Sequence, residues 1–113
     1  MPIIDHATFE ELKQMSGEDF INELIDTFIE DAPTMIAEMK SALEGDDADT
    51  FRRAAHSMKS NAATFGANEL AELAKELEIL GKDNKLNETG DSLKSMEEAY
   101  ASAKEELEAL KSA

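Results

Sequence analysis

Two imidazoles, His6 and His56, are the side chains best suited to nucleophilic chemistry near neutral pH in a chain that has no cysteine. His56 lies in an unusual stretch. From Thr50 to Asn68, 19 consecutive residues hold no Asp or Glu, although 26 of the 113 residues are acidic, and simple proportion would place about four there. The same stretch holds Arg52, Arg53, His56 and Lys59, so an acidic protein has kept one segment locally cationic. On an ideal helix of about 100° per residue, Phe51, Ala54, Ala55, Met58, Ala62 and Phe65 gather on a face centred near Met58, and His56 lies roughly 150° around from it. His56 is therefore expected in solvent, with Arg52 one turn before it, Lys59 and Ser60 one turn after, and Ala63 two turns after. An exposed imidazole beside cations and small side chains meets the needs of phosphoryl transfer: a nucleophile, in-line access, and positive charge for the phosphoryl oxygens. The spacing alone serves equally well for a plain basic contact patch. His6 reads as an ordinary surface residue.

The next segment has a compatible flank. Ala71, Lys75, Glu78 and Lys82 share one stripe beside an apolar face. Glu78 can accept a hydrogen bond from the imidazole and fix its tautomer, with Lys75 or Lys82 adding positive charge. These residues also make an ordinary ladder of surface charges. A metal centre is not expected, because no Glu precedes either His by three residues and two imidazoles cannot supply the paired motif of carboxylate-bridged bundles.

Apolar residues recur at helical spacing almost throughout, and no segment alternates as a strand would. Phe9, Leu12 and Met15 mark a short helix ending near Gly17, with Ser16 and Asp19 as a start signal for the next. The second helix carries Ile21, Leu24, Ile25, Phe28, Ala32, Met35, Ile36, Met39 and Leu43, with Pro33 expected to kink or split it and Gly45 to stop it. Asp46 and Asp47 are expected to cap the third helix, which runs to Gly66. Asn68 is expected to cap a fourth helix carrying Leu70, Leu73, Ala74, Leu77 and Leu80 and closing at Gly81. A polar loop leads to a fifth, with Leu93, Met96, Tyr100, Ala103, Leu107 and Leu110 inward. The expected fold is all-α: an antiparallel four-helix bundle with a short extra N-terminal helix, in which residues 1–113 form one domain.

Charge and composition narrow the function. With 11 Lys and Arg against 26 Asp and Glu, the net charge is −15, which repels nucleic acid and anionic membranes and directs attention to protein partners. No apolar run reaches the length of a membrane span, and no basic leader precedes an apolar stretch. Together with the absence of cysteine, this leads to the expectation of a cytoplasmic protein. A closed core favours a monomer.

The segment from Ala55 to Ala67 closely resembles the signature of histidine-containing phosphotransfer domains. That pattern is a His, a large apolar residue two on, a Lys three on, a small residue four on and a Gly ten on, here His56, Met58, Lys59, Ser60 and Gly66. Met58 stands for the commoner Leu and Ser60 for the commoner Gly, and each preserves the chemical character of its position. The likeness extends through Ile4-Asp5, Asp31-Ala32-Pro33 and the run from Leu70 to Glu78, covering most of residues 3–110. The resemblance implies that His56 is phosphorylated by the aspartyl phosphate of a receiver domain and passes the group to another receiver. It implies that Lys59 helps neutralise the phosphate, and that Glu78, where the family often has Gln, contacts the imidazole.

The partners so implied are response regulator receiver domains and a hybrid sensor histidine kinase. No cofactor is expected on this chain; the receiver would bring Mg²⁺ and most of the catalysis. No Gly-rich phosphate loop occurs, so the chain should not phosphorylate itself from ATP. Phe9, Leu12, Met15 and Ile79 are candidates for docking a partner around the His face, the first three serving equally well as a cap on the bundle end. Of the competing readings, a non-catalytic adaptor would dock through the basic patch and tolerate loss of His56. A histidine-kinase dimerisation domain is disfavoured, since Ser57 rather than an acid follows His56 and no Pro lies close behind.

Overall fold

Ile4 is fully buried, and Asp5 begins the first helix by accepting hydrogen bonds on its carboxylate from the amides of Ala7 and Thr8. This helix, α1, spans His6–Ser16; it is followed by α2, Glu18–Glu44, α3, Ala48–Phe65, α4, Asn68–Lys82, a short 3-10 helix Leu86–Glu88, and α5, Ser92–Leu110. The computed structural model describes residues 3–111. The ends of the expected domain, residues 1–2 and 112–113, lie outside the described residues, and no strand occurs among those described. Among the described residues no helix is long and apolar enough to cross a membrane.

α2 packs on α3, α3 on α4, α4 on α5, and α5 back on α2, closing a four-membered ring that α1 caps by resting on α2 and α3. The short links between consecutive packed helices reverse the chain each time, which makes the bundle antiparallel. Within the ring sit Ile21, Ile25, Met39, Phe51, Met58, Leu70, Leu77, Met96 and Leu107, all essentially inaccessible to solvent. Phe28 packs against Phe65 with ring centroids 5.4 Å apart and meets Tyr100 edge-on at 5.7 Å, spacings favoured by the ring quadrupoles.

Several local expectations are corrected. α2 is not split at Pro33 but continues through it to Glu44. Proline cannot donate to the carbonyl four residues back, that of Ile29, and the Tyr100 hydroxyl donates to that oxygen at 3.4 Å. Gly17, not Ser16, occupies the N-cap of α2, and Ser16 is the last residue of α1. Ala67, not Asn68, is the N-cap of α4, because a two-residue link leaves no room for a separate capping side chain. Gly45 does end α2, but the left-handed residue there is Asp46, at φ 53°. Asp47 caps α3 by accepting from the amide and hydroxyl of Thr50. The polar loop after α4 is partly structured: Leu86 and Thr89 are buried, and the Thr89 hydroxyl donates to the Leu86 carbonyl at 3.0 Å.

Two glycines govern how α3 meets its neighbours. Gly66 takes the left-handed conformation at φ 80°, with its amide bonding the carbonyl of Ala63 and the amide of Ala67 bonding that of Ala62, the Schellman closure of a helix. Its carbonyl accepts from the amide of Asp5 at 2.8 Å, tying the start of α1 to the end of α3. Gly81 does not end α4, which continues to Lys82; it is buried within the helix, and a Cβ there would lie 3.0 Å from the backbone nitrogen of Arg52. This bare position lets α4 come close to α3.

Candidate functional site

α3 is amphipathic, and its buried face consists of Phe51, Ala54, Ala55, Met58, Ala62 and Phe65, the face its sequence spacing defines. His56 stands on the far side with 57% of its side chain exposed. Opposite it, α4 presents Glu78, whose side chain is only 17% exposed in the groove between the two helices. Oε2 of Glu78 lies 2.7 Å from Nδ1 of His56. Oε1 of the same carboxylate lies 2.6 Å from Nζ of Lys59.

The charge of this group follows from its contacts. Burial pushes the Glu78 carboxyl up, but hydrogen bonds from Lys59 and His56, reinforced by their charge, outweigh it and hold the carboxyl below the usual glutamate range. An ionised carboxylate only accepts hydrogen bonds, so Nδ1 carries the proton and Nε2 keeps its lone pair in the neutral imidazole. Nε2 is the nitrogen with no hydrogen-bond partner among the described residues, on a side chain facing solvent.

The other expected site residues divide into those the fold brings to His56 and those it does not. Lys59 is in place but bound to Glu78, a capture the helical wheel of α3 alone cannot reveal. Arg52 is half-buried, and its guanidinium is turned to Asp49, 2.9 Å away; Arg53 pairs with the same carboxylate at 3.0 Å. Arg52 thus faces away from the role of a free cation at the imidazole. Asp49 stands just before the acid-free stretch, close enough to neutralise its first turn. Ser60 and Ala63 are exposed on the His56 side, leaving the approach open, while Gly66 is buried at the helix end and serves the fold. Lys75 and Lys82 are exposed on α4.

The docking candidates are sorted by burial. Phe9 is a core residue, 3% exposed, because α1 turns it into the bundle; it cannot be part of a contact surface. Leu12 is half-buried against the core. Met15 and Ile79 are exposed, and so is Phe20, whose place beside the apolar stripe of α2 gives no sign of it in the sequence. His6 is held by Glu106 of α5, 3.1 Å away, in a contact remote in sequence that helical periodicity could not signal.

Comparison with known proteins gives the family and the fold. The family model of the Hpt domain matches residues 23–113, and the chain belongs to the Hpt domain family. It is 28% identical over 88 residues to the phosphorelay protein LuxU of Vibrio harveyi, covering 78% of this chain and 77% of that one. It is 27% identical over 82 residues to multistep phosphorelay regulator 1 of Schizosaccharomyces pombe; the match takes in 70% of this chain but only 28% of the longer yeast protein. The crystal structure of histidine-containing phosphotransfer protein B (HptB) from Pseudomonas aeruginosa PAO1 superposes with a TM-score of 0.90 at 26% identity, covering 97% of this chain and 95% of that one.

Proposed function

We propose that this chain is a phosphotransfer intermediate of two-component signalling, with Nε2 of His56 as the atom that carries the phosphoryl group. The carrying observation is the 2.7 Å contact between Nδ1 of His56 and Glu78, which supports a proton on that nitrogen and a nucleophilic lone pair on the solvent-facing one. In the accepting step Nε2 attacks the phosphorus of an aspartyl phosphate on a receiver domain. The N–P bond forms as the P–O bond breaks, and the aspartate leaves with the electron pair. The proton on Nδ1 remains there, and Glu78 offsets the positive charge that develops on the ring. The reverse sequence with a second receiver discharges the phosphoryl group.

Lys59 supplies positive charge for the phosphoryl oxygens, and Ser60 and Ala63 keep the approach clear. The receiver supplies Mg²⁺, so this chain presents a positioned nucleophile rather than a metal site. Ile79, next to Glu78 and 45% exposed, lies beside the surface that a receiver must cover, while Met15 and Phe20 offer a second apolar contact at the α1–α2 corner. The kinase upstream is a hybrid sensor histidine kinase, and the chain works as a cytoplasmic monomer. The pairing of Arg52, Arg53 and Lys59 with carboxylates of this same chain argues against the rival adaptor, which needs a free basic patch.

The test is phosphoryl transfer from a panel of phosphorylated receiver domains to the wild type and to His56→Gln. Acid-labile, base-stable phosphate on the wild type alone is the expected result. Failure to label the folded wild type, or equal labelling of the variant, would overturn this reading.

A further inference from the structure

The two oxygens of Glu78 are divided between the nucleophile and the cation that serves it. Oε2 takes Nδ1 of His56 at 2.7 Å and Oε1 takes Nζ of Lys59 at 2.6 Å. Lys59 is 31% exposed and Glu78 17%, so this ion pair is partly shielded from water and stronger than one on the open surface. The ammonium that should meet the phosphoryl group therefore already holds an anion. Arg52 and Arg53 are committed to Asp49, and Lys75 and Lys82 are exposed on α4, one turn to either side of Glu78. From α2, Asp31 and Glu38 line the groove that includes Arg53 and Ser57, adding negative charge rather than positive.

We propose that Glu78 competes with the phosphoryl group for Lys59 and thereby sets how the phosphoryl group distributes between this chain and a receiver. This rests on the reading that His56 is the carrier. When the N–P bond forms at Nε2 and the aspartyl P–O bond breaks, Lys59 exchanges a hydrogen bond to Oε1 for one to a phosphoryl oxygen. The bond from Nδ1 to Oε2 is kept. The phosphorylated state gives up the Lys59–Glu78 ion pair, a loss that outweighs the pull of the carboxylate on the charged ring, so Glu78 holds down the phosphoryl affinity of His56 and favours onward transfer. Glu78 is a positioning residue for both partners, with opposite consequences: it aims the imidazole and withholds the ammonium. A glutamine at this position retains an oxygen for Nδ1–H but gives up its charge-based hold on Lys59.

The experiment equilibrates the phosphorylated chain with a receiver domain and measures the ratio of phosphohistidine to phosphoaspartate. It compares the wild type, Glu78→Gln, Lys59→Met and the double variant, with folding checked by circular dichroism. Glu78→Gln should raise the ratio by roughly two- to fivefold, the range expected for releasing a partly exposed ion pair, and should give no rise in the Lys59→Met background, where only the loss of the charge beside the ring remains. A ratio that stays the same or falls in Glu78→Gln would overturn the proposal, as would an equal rise with Lys59 absent, which would mean that Glu78 acts on the phosphoryl group directly. If the wild type itself takes up no phosphate on His56, the carrier reading fails and this inference with it; labelled wild type with an unaltered Glu78→Gln ratio sinks the inference alone.

Discussion

Glu78 keeps its charge to lower pH than an ordinary glutamate, because the hydrogen bonds and charges of Lys59 and His56 outweigh the burial that opposes them. A carboxyl whose pKa is depressed on folding adds stability above its unfolded value and loses it as the pH falls through the folded one. The melting-temperature advantage of the wild type over Glu78→Gln should therefore be full near neutrality and shrink as the pH falls through and below the ordinary glutamate range; a gap that does not depend on pH would contradict the assignment. Gly66 supports a second residue-scale prediction. At φ 80°, with an added Cβ only 2.9 Å from the carbonyl oxygen of Asp5, Gly66→Ala should cost about 1–3 kcal/mol in denaturant unfolding. At this scale much of the site was legible. The spacing of α3 puts His56 in solvent, and the stripe on α4 puts Glu78 within reach of it. The capture of Lys59 and the turn of Arg52 toward Asp49 were hidden, since one helical wheel says which way a side chain leaves its own helix but not which partner it meets.

Between elements, spacing and repair of the backbone decide the outcome. Gly81 lies one turn after Glu78 and meets the backbone of Arg52, one turn before His56. Gly81→Ala should push α4 from α3, lowering the melting temperature by several degrees and slowing phosphoryl transfer by lengthening the Glu78–His56 contact; unchanged transfer would show that the spacing has slack. Along α2, Tyr100 serves the carbonyl that Pro33 leaves without its helical donor. Tyr100→Phe should cost about 1 kcal/mol, and less in a Pro33→Ala background, where a backbone amide returns; equal costs in the two backgrounds would refute this link. Helix number, order and inward faces followed from periodicity alone. Their joints did not: Ser16 and Asn68 look like caps by residue type, yet the tight connections hand those positions to Gly17 and Ala67. The burial of Phe9 likewise depends on how α1 lies across the ring, which its own sequence does not encode.

For the molecule as a whole, 26 acidic side chains against 11 basic ones leave a net repulsion that folding concentrates into a small volume. Surface ion pairs such as Lys40–Glu97 and Lys111–Asp26 contribute little individually. Salt should therefore stabilise the bundle, raising its melting temperature by a few degrees between low ionic strength and about 0.5 M NaCl. A fall would mean that the ion pairs outweigh the repulsion. The position of His56 halfway along α3 has a consequence for timing. A side chain on a continuous helix can turn about only two torsions, and no loop must close over it before it reacts. In the proposed role the search for productive alignment falls almost wholly to the partner, and a phosphoryl group stored on this imidazole would stay open to whichever molecule arrives. How long the message lasts is governed by the abundance of its recipients, and the carrier itself keeps no clock.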